Sequence, residues 1–129
     1  MTNLRVLVAD DNEDHLFLTV RALQEVPDVD LEIETVTDGE QALGAVYGDR
    51  PPHLILLDLK MPKVNGLEVL ERIKSDTSMR KIPVVILTSS ERPEDVDAAY
   101  RLGSNSYVTK PSTGAGLREG LRRVSSYWT

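Results

Sequence analysis

Cysteine is absent from this chain of 129 residues, which excludes disulfides, thiolate catalysis and cysteine-ligated metal centres. Long apolar runs are missing too: none approaches the roughly 18 residues needed to span a bilayer, and the N-terminus has no signal-peptide core. Both absences favour a cytoplasmic protein that does not enter a membrane. Positive charge is in short supply, with 15 Lys and Arg against 21 Asp and Glu and a net charge of −6. Nucleic acid is therefore a poor partner, because phosphate backbones require a basic face. Repeats, linkers and low-complexity segments are also lacking. What remains is ordinary for one globular domain: 40% hydrophobic and 28% charged residues, enough for a continuous core and too few for a second folded unit.

Five apolar runs alternate with helical patterns, and that alternation predicts a parallel α/β sheet. The first strand covers residues 4–9. A helix follows over 14–26, with Asn12 or Asp11 as N-cap, Leu16, Val20 and Leu23 inward, and Pro27 as its stop. The second strand, 31–36, alternates Leu-Glu-Ile-Glu and so belongs at an edge. Asp38 caps a short helix with Ala42, Leu43 and Val46 inward. Residues 54–57, Leu-Ile-Leu-Leu, read as a strand buried on both faces. A loop rich in turn residues, 60–66, leads to a third helix over 67–74 with Leu67, Leu70 and Ile73 inward. The fourth strand, 84–87, runs into Thr88-Ser89-Ser90; Pro93 suits the first turn of a fourth helix and Gly103 its C′ position. A short strand over 106–109 and a last helix striped by Leu117, Leu121, Val124 and Trp128 complete the chain.

Three of these strands end in charge. Asp10-Asp11 closes the first, Asp58 the third and Lys110 the fifth. In an open parallel sheet, ligands bind at the carboxyl ends of the strands, where these groups would meet. Three converging carboxylates repel one another unless a cation joins them, and magnesium is usually held by one or two carboxylates together with a phosphate oxygen. A carboxylate in such a site can act as a nucleophile and form an aspartyl-phosphate. Asp58 suits that role because it stands alone on the central strand, while Asp10 and Asp11 suit a metal clamp. Lys110 can pair with the phosphoryl group as a point charge, and Thr88 can donate its hydroxyl to it.

These residues resemble the receiver domain of two-component response regulators. The matched elements are Val-Ala-Asp-Asp-Asn at 8–12, Asp58 with Met61-Pro62 and Gly66, Leu-Thr-Ser at 87–89, and Tyr-Val-Thr-Lys-Pro at 107–111. The resemblance spans essentially the whole chain and implies a flavodoxin-like (βα)5 three-layer sandwich with strand order 2-1-3-4-5. It further implies one receiver domain over residues 1–129, with no output domain. Carried over by position, Asp58 is the phosphoacceptor, and Asp10, Asp11 and Asp58 hold Mg2+ with the Lys60 backbone carbonyl. Thr88 and Lys110 bind the phosphoryl group, Thr88 and Tyr107 form the switch, and the Lys110–Pro111 bond is cis. The implied donor is a histidine kinase, and the implied outlet is a downstream protein or phosphotransfer partner. The segment 88–96 and the ending Ser-Ser-Tyr-Trp at 125–128 look like single-domain regulators paired with phytochrome-type kinases, which implies a homodimer through the fourth helix, fifth strand and last helix. The expected protein catalyses only its own phosphotransfer and dephosphorylation. Lys60 departs from the smaller polar residue that many receivers carry two positions past the phosphoacceptor, which bears on phosphoryl lifetime.

Blander readings stand beside these. Asp10-Asp11 alone would pass for helix capping. His15 and His53 read as structural or exposed, and Arg118, Arg122 and Arg123 as a solvated face, while Tyr127 and Trp128 hint at a contact surface. A phosphatase of the haloacid dehalogenase type would need Asp-x-Asp after strand one, where this chain has Asp10-Asp11-Asn12 and no cap insertion. A flavodoxin would need a Ser/Thr-rich phosphate loop there. A degenerate receiver used only for binding would have lost site residues, and none is missing.

Overall fold

The structure, a computed structural model, describes residues 3–26, 30–110 and 114–123. Its elements follow in the order β1 (Asn3–Ala9), α1 (Glu13–Gln24), β2 (Asp30–Val36), α2 (Gly39–Val46), β3 (Leu54–Leu57), α3 (Gly66–Ser75), β4 (Val84–Thr88), α4 (Pro93–Arg101), β5 (Ser106–Thr109) and α5 (Gly114–Arg123). The strands form one parallel sheet in the order β2-β1-β3-β4-β5, the doubly wound arrangement that the resemblance implied. Strand polarity tracks position: β3 and β4 are buried at every residue, whereas edge strand β2 exposes Glu32 and Glu34.

Successive side chains on a strand face opposite sides of the sheet, and this parity builds two cores. Ile55, Leu57, Val84 and Ile86 pack under α2, α3 and α4 through Ala42, Val46, Val69, Leu70, Ile73 and Ala99. Val8, Leu56, Val85 and Val108 pack under α1 and α5 through Leu16, Leu23, Leu117 and Leu121. The result is a three-layer sandwich. Some inward faces are rotated from the sequence expectation. In α1, Thr19 and Ala22 are buried while Val20 is half-buried; in α3, Val69 is buried and Leu67 half-buried. Helix α1 also ends at Gln24, because Glu25 and Val26 bond back three residues and tighten its last turn.

The loops after β1, β2 and β3 each end in a side-chain cap. Asn12, Asp38 and Asn65 accept from the amides of His15, Gln41 and Glu68, so three helices start just beyond the carboxyl edge of the sheet. Helix α4 instead begins with Pro93 at its first position, and Gly103 just past its end takes φ of +104°, as its C′ placement predicts. Pro27, Pro111, Val124, Tyr127 and Trp128 lie outside the described residues, so the stop after α1, the cis bond and the C-terminal aromatic stripe are expectations only.

Candidate functional site

The sheet places the site through its own ladder. Asp10 N donates to the Val36 carbonyl at 3.1 Å, Asp58 N to Ala9 at 2.9 Å and Lys110 N to Thr88 at 2.7 Å. Each charged residue thus occupies one further rung beyond its strand, tied to a neighbouring strand. Ala9 pairs with Leu57, so Asp10 and Asp58 stand abreast. Both continue the face of Val8 and Leu56, and Lys110 continues that of Val108, which is the side covered by α1 and α5. Thr88 continues the opposite face, that of Ile86.

Three carboxylates therefore converge. One oxygen from each of Asp10, Asp11 and Asp58 lies within 4.8 Å of the others. Asp10 is 2% exposed and Asp58 7%, whereas Asp11 opens to solvent. The Lys110 ammonium lies between the two buried acids, 2.5 Å from Asp10 Oδ2 and 2.9 Å from Asp58 Oδ2. Asp10 Oδ1 accepts from Asn12 N at 2.9 Å, and Asp58 Oδ1 from Lys60 N at 3.3 Å. Burial raises the Asp10 carboxyl above its ordinary range, with the Asp58 charge adding to the effect; the Lys110 ammonium and the Asn12 amide oppose it. Hard oxygen donors, an excess of negative charge and one solvent-facing carboxylate fit a divalent cation such as Mg2+ or Mn2+.

Two features fit a phosphoryl group. Thr88 is fully buried and its Oγ1 has no hydrogen-bond partner, the one such buried side-chain atom among the described residues. Beside the carboxylates, a groove of about 490 Å³ runs between the β3–α3 loop and the start of α4. Leu59, Met61 and Leu67 line it, with Asp11, Lys60 and Arg92 at its polar edges. The loop is held tightly. Val64 N bonds to the Pro62 carbonyl at 2.9 Å across Lys63, whose φ of +69° is the strained hand of a three-residue turn. A Cβ on Gly66 would lie 2.1 Å from the Asp58 carbonyl oxygen, so only glycine lets α3 begin against the end of β3.

The family model for the response regulator receiver domain matches residues 6–122. The chain belongs to the receiver family. That membership decides against a flavodoxin and against a dehalogenase-type phosphatase. The receiver is 37% identical over 132 residues to the response regulator Rcp1 of Synechocystis, covering 95% of this chain and 86% of that protein. The Mn2+-bound form of Rcp1 superposes with a TM-score of 0.87 at 34% identity, over 97% and 94% of the two chains. The phosphorylated cyanobacterial phytochrome response regulator RcpA gives 0.88 at 34% identity, over 98% and 94%. The bacteriophytochrome response regulator RtBRR gives 0.80 at 39% identity, over 98% and 80%. The receiver is thus similar to phytochrome-associated regulators, and like them it is a module of two-component signalling. Among its described residues, no helix is long and apolar enough to cross a membrane.

The remaining expected residues lie where strand parity puts them. Tyr107 is half-buried on the α4 side, and its hydroxyl donates to the Ser90 carbonyl at 2.9 Å. Burial raises its phenol above the ordinary range. Lys60 is exposed at the mouth of the site. His53 sits at the opposite edge of the sheet, exchanging hydrogen bonds with the Arg5 backbone. His15 is the residue that sequence reasoning passes over. Its Nδ1 lies 2.9 Å from Lys110 Nζ. The signal was available in principle: Lys110 is two residues past Val108, so it faces α1, and His15 lies in the first turn of that helix. Ser90 escapes sequence reasoning as well. Its hydroxyl bonds Asp95 Oδ2 at 2.5 Å and accepts from Arg92 N at 3.3 Å, linking the loop that carries Thr88 to the first turn of α4.

Proposed function

We propose that this receiver is a phosphoacceptor in a two-component phosphorelay, with Asp58 taking the phosphoryl group from a histidine kinase of the phytochrome type. The observation that carries the reading is the buried Asp58 carboxylate, abreast of Asp10 and paired with Lys110 at 2.9 Å. An Asp58 carboxylate oxygen forms a bond to phosphorus while the bond from phosphorus to the donor imidazole nitrogen breaks, and the electron pair stays on that nitrogen. Asp10, Asp11 and Asp58, with the Lys60 carbonyl, hold Mg2+. When bound, that ion neutralises charge developing on the transferring phosphoryl oxygens. Lys110 shifts a hydrogen bond from the carboxylate to a phosphoryl oxygen, and Thr88 gives its unpartnered hydroxyl to another. The groove beside Asp11 and Lys60 leaves room for the donor's ring.

Drawing Thr88 inward changes the contacts of the loop that follows it. Tyr107 hangs from that loop through the Ser90 carbonyl, and Ser90 holds α4 through Asp95, so the switch passes from the phosphoryl group to the surface of α4, β5 and α5. That surface then binds a downstream protein, a phosphotransfer partner or a second copy. The receiver signals by association, and its own chemistry is phosphotransfer and dephosphorylation at Asp58.

Intact-mass measurement after treatment with acetyl phosphate and Mg2+ tests the core of this reading. One phosphoryl adduct is expected, absent in Asp58→Asn and absent after chelation. An adduct that persists in Asp58→Asn removes Asp58 from the role.

A further inference from the structure

The surroundings of Lys110 leave its ammonium no spare hydrogen. A lysine ammonium carries three donors and accepts nothing. Here it meets Asp10 Oδ2 at 2.5 Å, Asp58 Oδ2 at 2.9 Å and His15 Nδ1 at 2.9 Å. The first two contacts are ion pairs that a carboxylate cluster would attract in any case. The third is different in kind. Toward an ammonium, His15 Nδ1 can only accept, so the ring must be neutral with its hydrogen on Nε2.

The placement of His15 is built from the helix cap outward. Asn12 accepts from His15 N at 3.0 Å, which fixes the first turn of α1 at the carboxyl edge of the sheet. Leu16, the next residue, is buried in the core shared by α1, α5 and Val108, so the helix cannot rotate His15 away from β5. Lys110 arrives from β5 on the same side, with only 8% of its side chain exposed. A flexible four-carbon stem is thereby gripped at its tip from three directions, by β1, β3 and α1.

We infer that His15 is a positioning residue for Lys110: its Nδ1 takes the third ammonium hydrogen and fixes where that charge stands as the phosphoryl group arrives on Asp58. The inference rests on the phosphoacceptor reading for its kinetic consequence, but not for its structural one. Without an acceptor at position 15, two carboxylates alone orient the ammonium, and one of them is the group being consumed. As Asp58 becomes an acyl phosphate its oxygens lose charge, and Lys110 must turn toward phosphorus. His15 keeps the ammonium beside Asp58 during that exchange, because its contact, like that of Asp10, is not consumed by the reaction, and it holds the ammonium from the α1 side where Asp10 does not.

The test has two arms on the whole chain. The first reads the tautomer directly. With 15N-labelled histidine and no divalent ion, long-range correlation spectra at about pH 8 should place the His15 hydrogen on Nε2. The Nδ1 resonance should also sit upfield of its position in Lys110→Met, where the hydrogen bond is gone. A hydrogen on Nδ1, or the same Nδ1 shift in both proteins, overturns the inference. The second arm measures phosphorylation by acetyl phosphate at saturating Mg2+. His15→Leu should slow it by three- to ten-fold, while His15→Asn, whose Oδ1 stands where Nδ1 stood, should return it to within two-fold of wild type. Equal slowing in both variants, or in neither, overturns the positioning role. If Asp58→Asn still takes the phosphoryl group, the proposed function fails, while the contact between His15 and Lys110 still stands or falls by the tautomer spectra.

Discussion

A buried hydroxyl with no partner costs about 1–3 kcal/mol relative to one that is satisfied or absent. Thr88 carries such a hydroxyl in the middle of the site, so the unphosphorylated protein should gain stability when it is removed. Thr88→Val is expected to raise the urea midpoint by an amount worth about 1 kcal/mol, while shortening the life of the acyl phosphate. A midpoint that falls would mean the hydroxyl already has a partner. The same scale explains what could be read from the chain. Asp58 was legible because a carboxylate directly after four buried residues must be matched by something. Asp10 and Lys110 were legible for the same reason at the ends of their strands. His15 was not, because its meaning depends on which side of β5 Lys110 faces, and that emerges only when strand parity is followed past the last sheet residue.

Among the elements, α3 shows most clearly how packing serves the site. Its first residue, Gly66, bonds through its amide to the Leu59 carbonyl at 2.8 Å and leaves no space for a Cβ beside Asp58. Gly66→Ala should therefore cost about 3 kcal/mol, since the obstacle is backbone rather than a movable side chain. Denaturant unfolding measures it, and a loss below about 1 kcal/mol would show that α3 can retreat freely. The existence and order of the elements were legible because apolar runs alternate with helical spacing and are punctuated by proline and glycine. Their rotations were less so. In α1 both Thr19 and Val20 fit an amphipathic stripe, and the helix turns Thr19 inward because Leu16 and Leu23 dock against Val8 and Leu56. In α3 the inward choice of Val69 over Leu67 follows from where Gly66 anchors the first turn.

For the whole molecule, the buried negative charge should govern stability. The folded Asp10 carboxyl is raised above its ordinary value, so its contribution is fully present in acid and is lost as pH rises through the folded value. A divalent cation offsets that loss only where the carboxyl is ionised. Mg2+ at tenfold excess over its dissociation constant should add about 1.4 kcal/mol near pH 7.5, or a few degrees of Tm. Near pH 4 the gain should shrink, and equal shifts at both values would place the ion elsewhere. Assembly belongs to this scale as well. Tyr100, half exposed on α4, adds an aromatic to the face proposed for dimerisation. Light scattering should find a two-fold dimer at tens of micromolar that Tyr100→Ala weakens. A wild type that stays monomeric with and without acetyl phosphate rules that dimer out.

The three amides that tie Asp10, Asp58 and Lys110 to their neighbouring strands carry a consequence for how such a protein can diversify. The charged groups of the site hang from the innermost framework, while Phe17, Leu18, Tyr47 and Tyr100 stand on outer helical faces or at their ends. Exchanging those outer residues leaves the rungs beneath them in place. A duplicated copy can therefore acquire a new correspondent by surface change alone, and two descendants can keep one site geometry in one cell as separate lines.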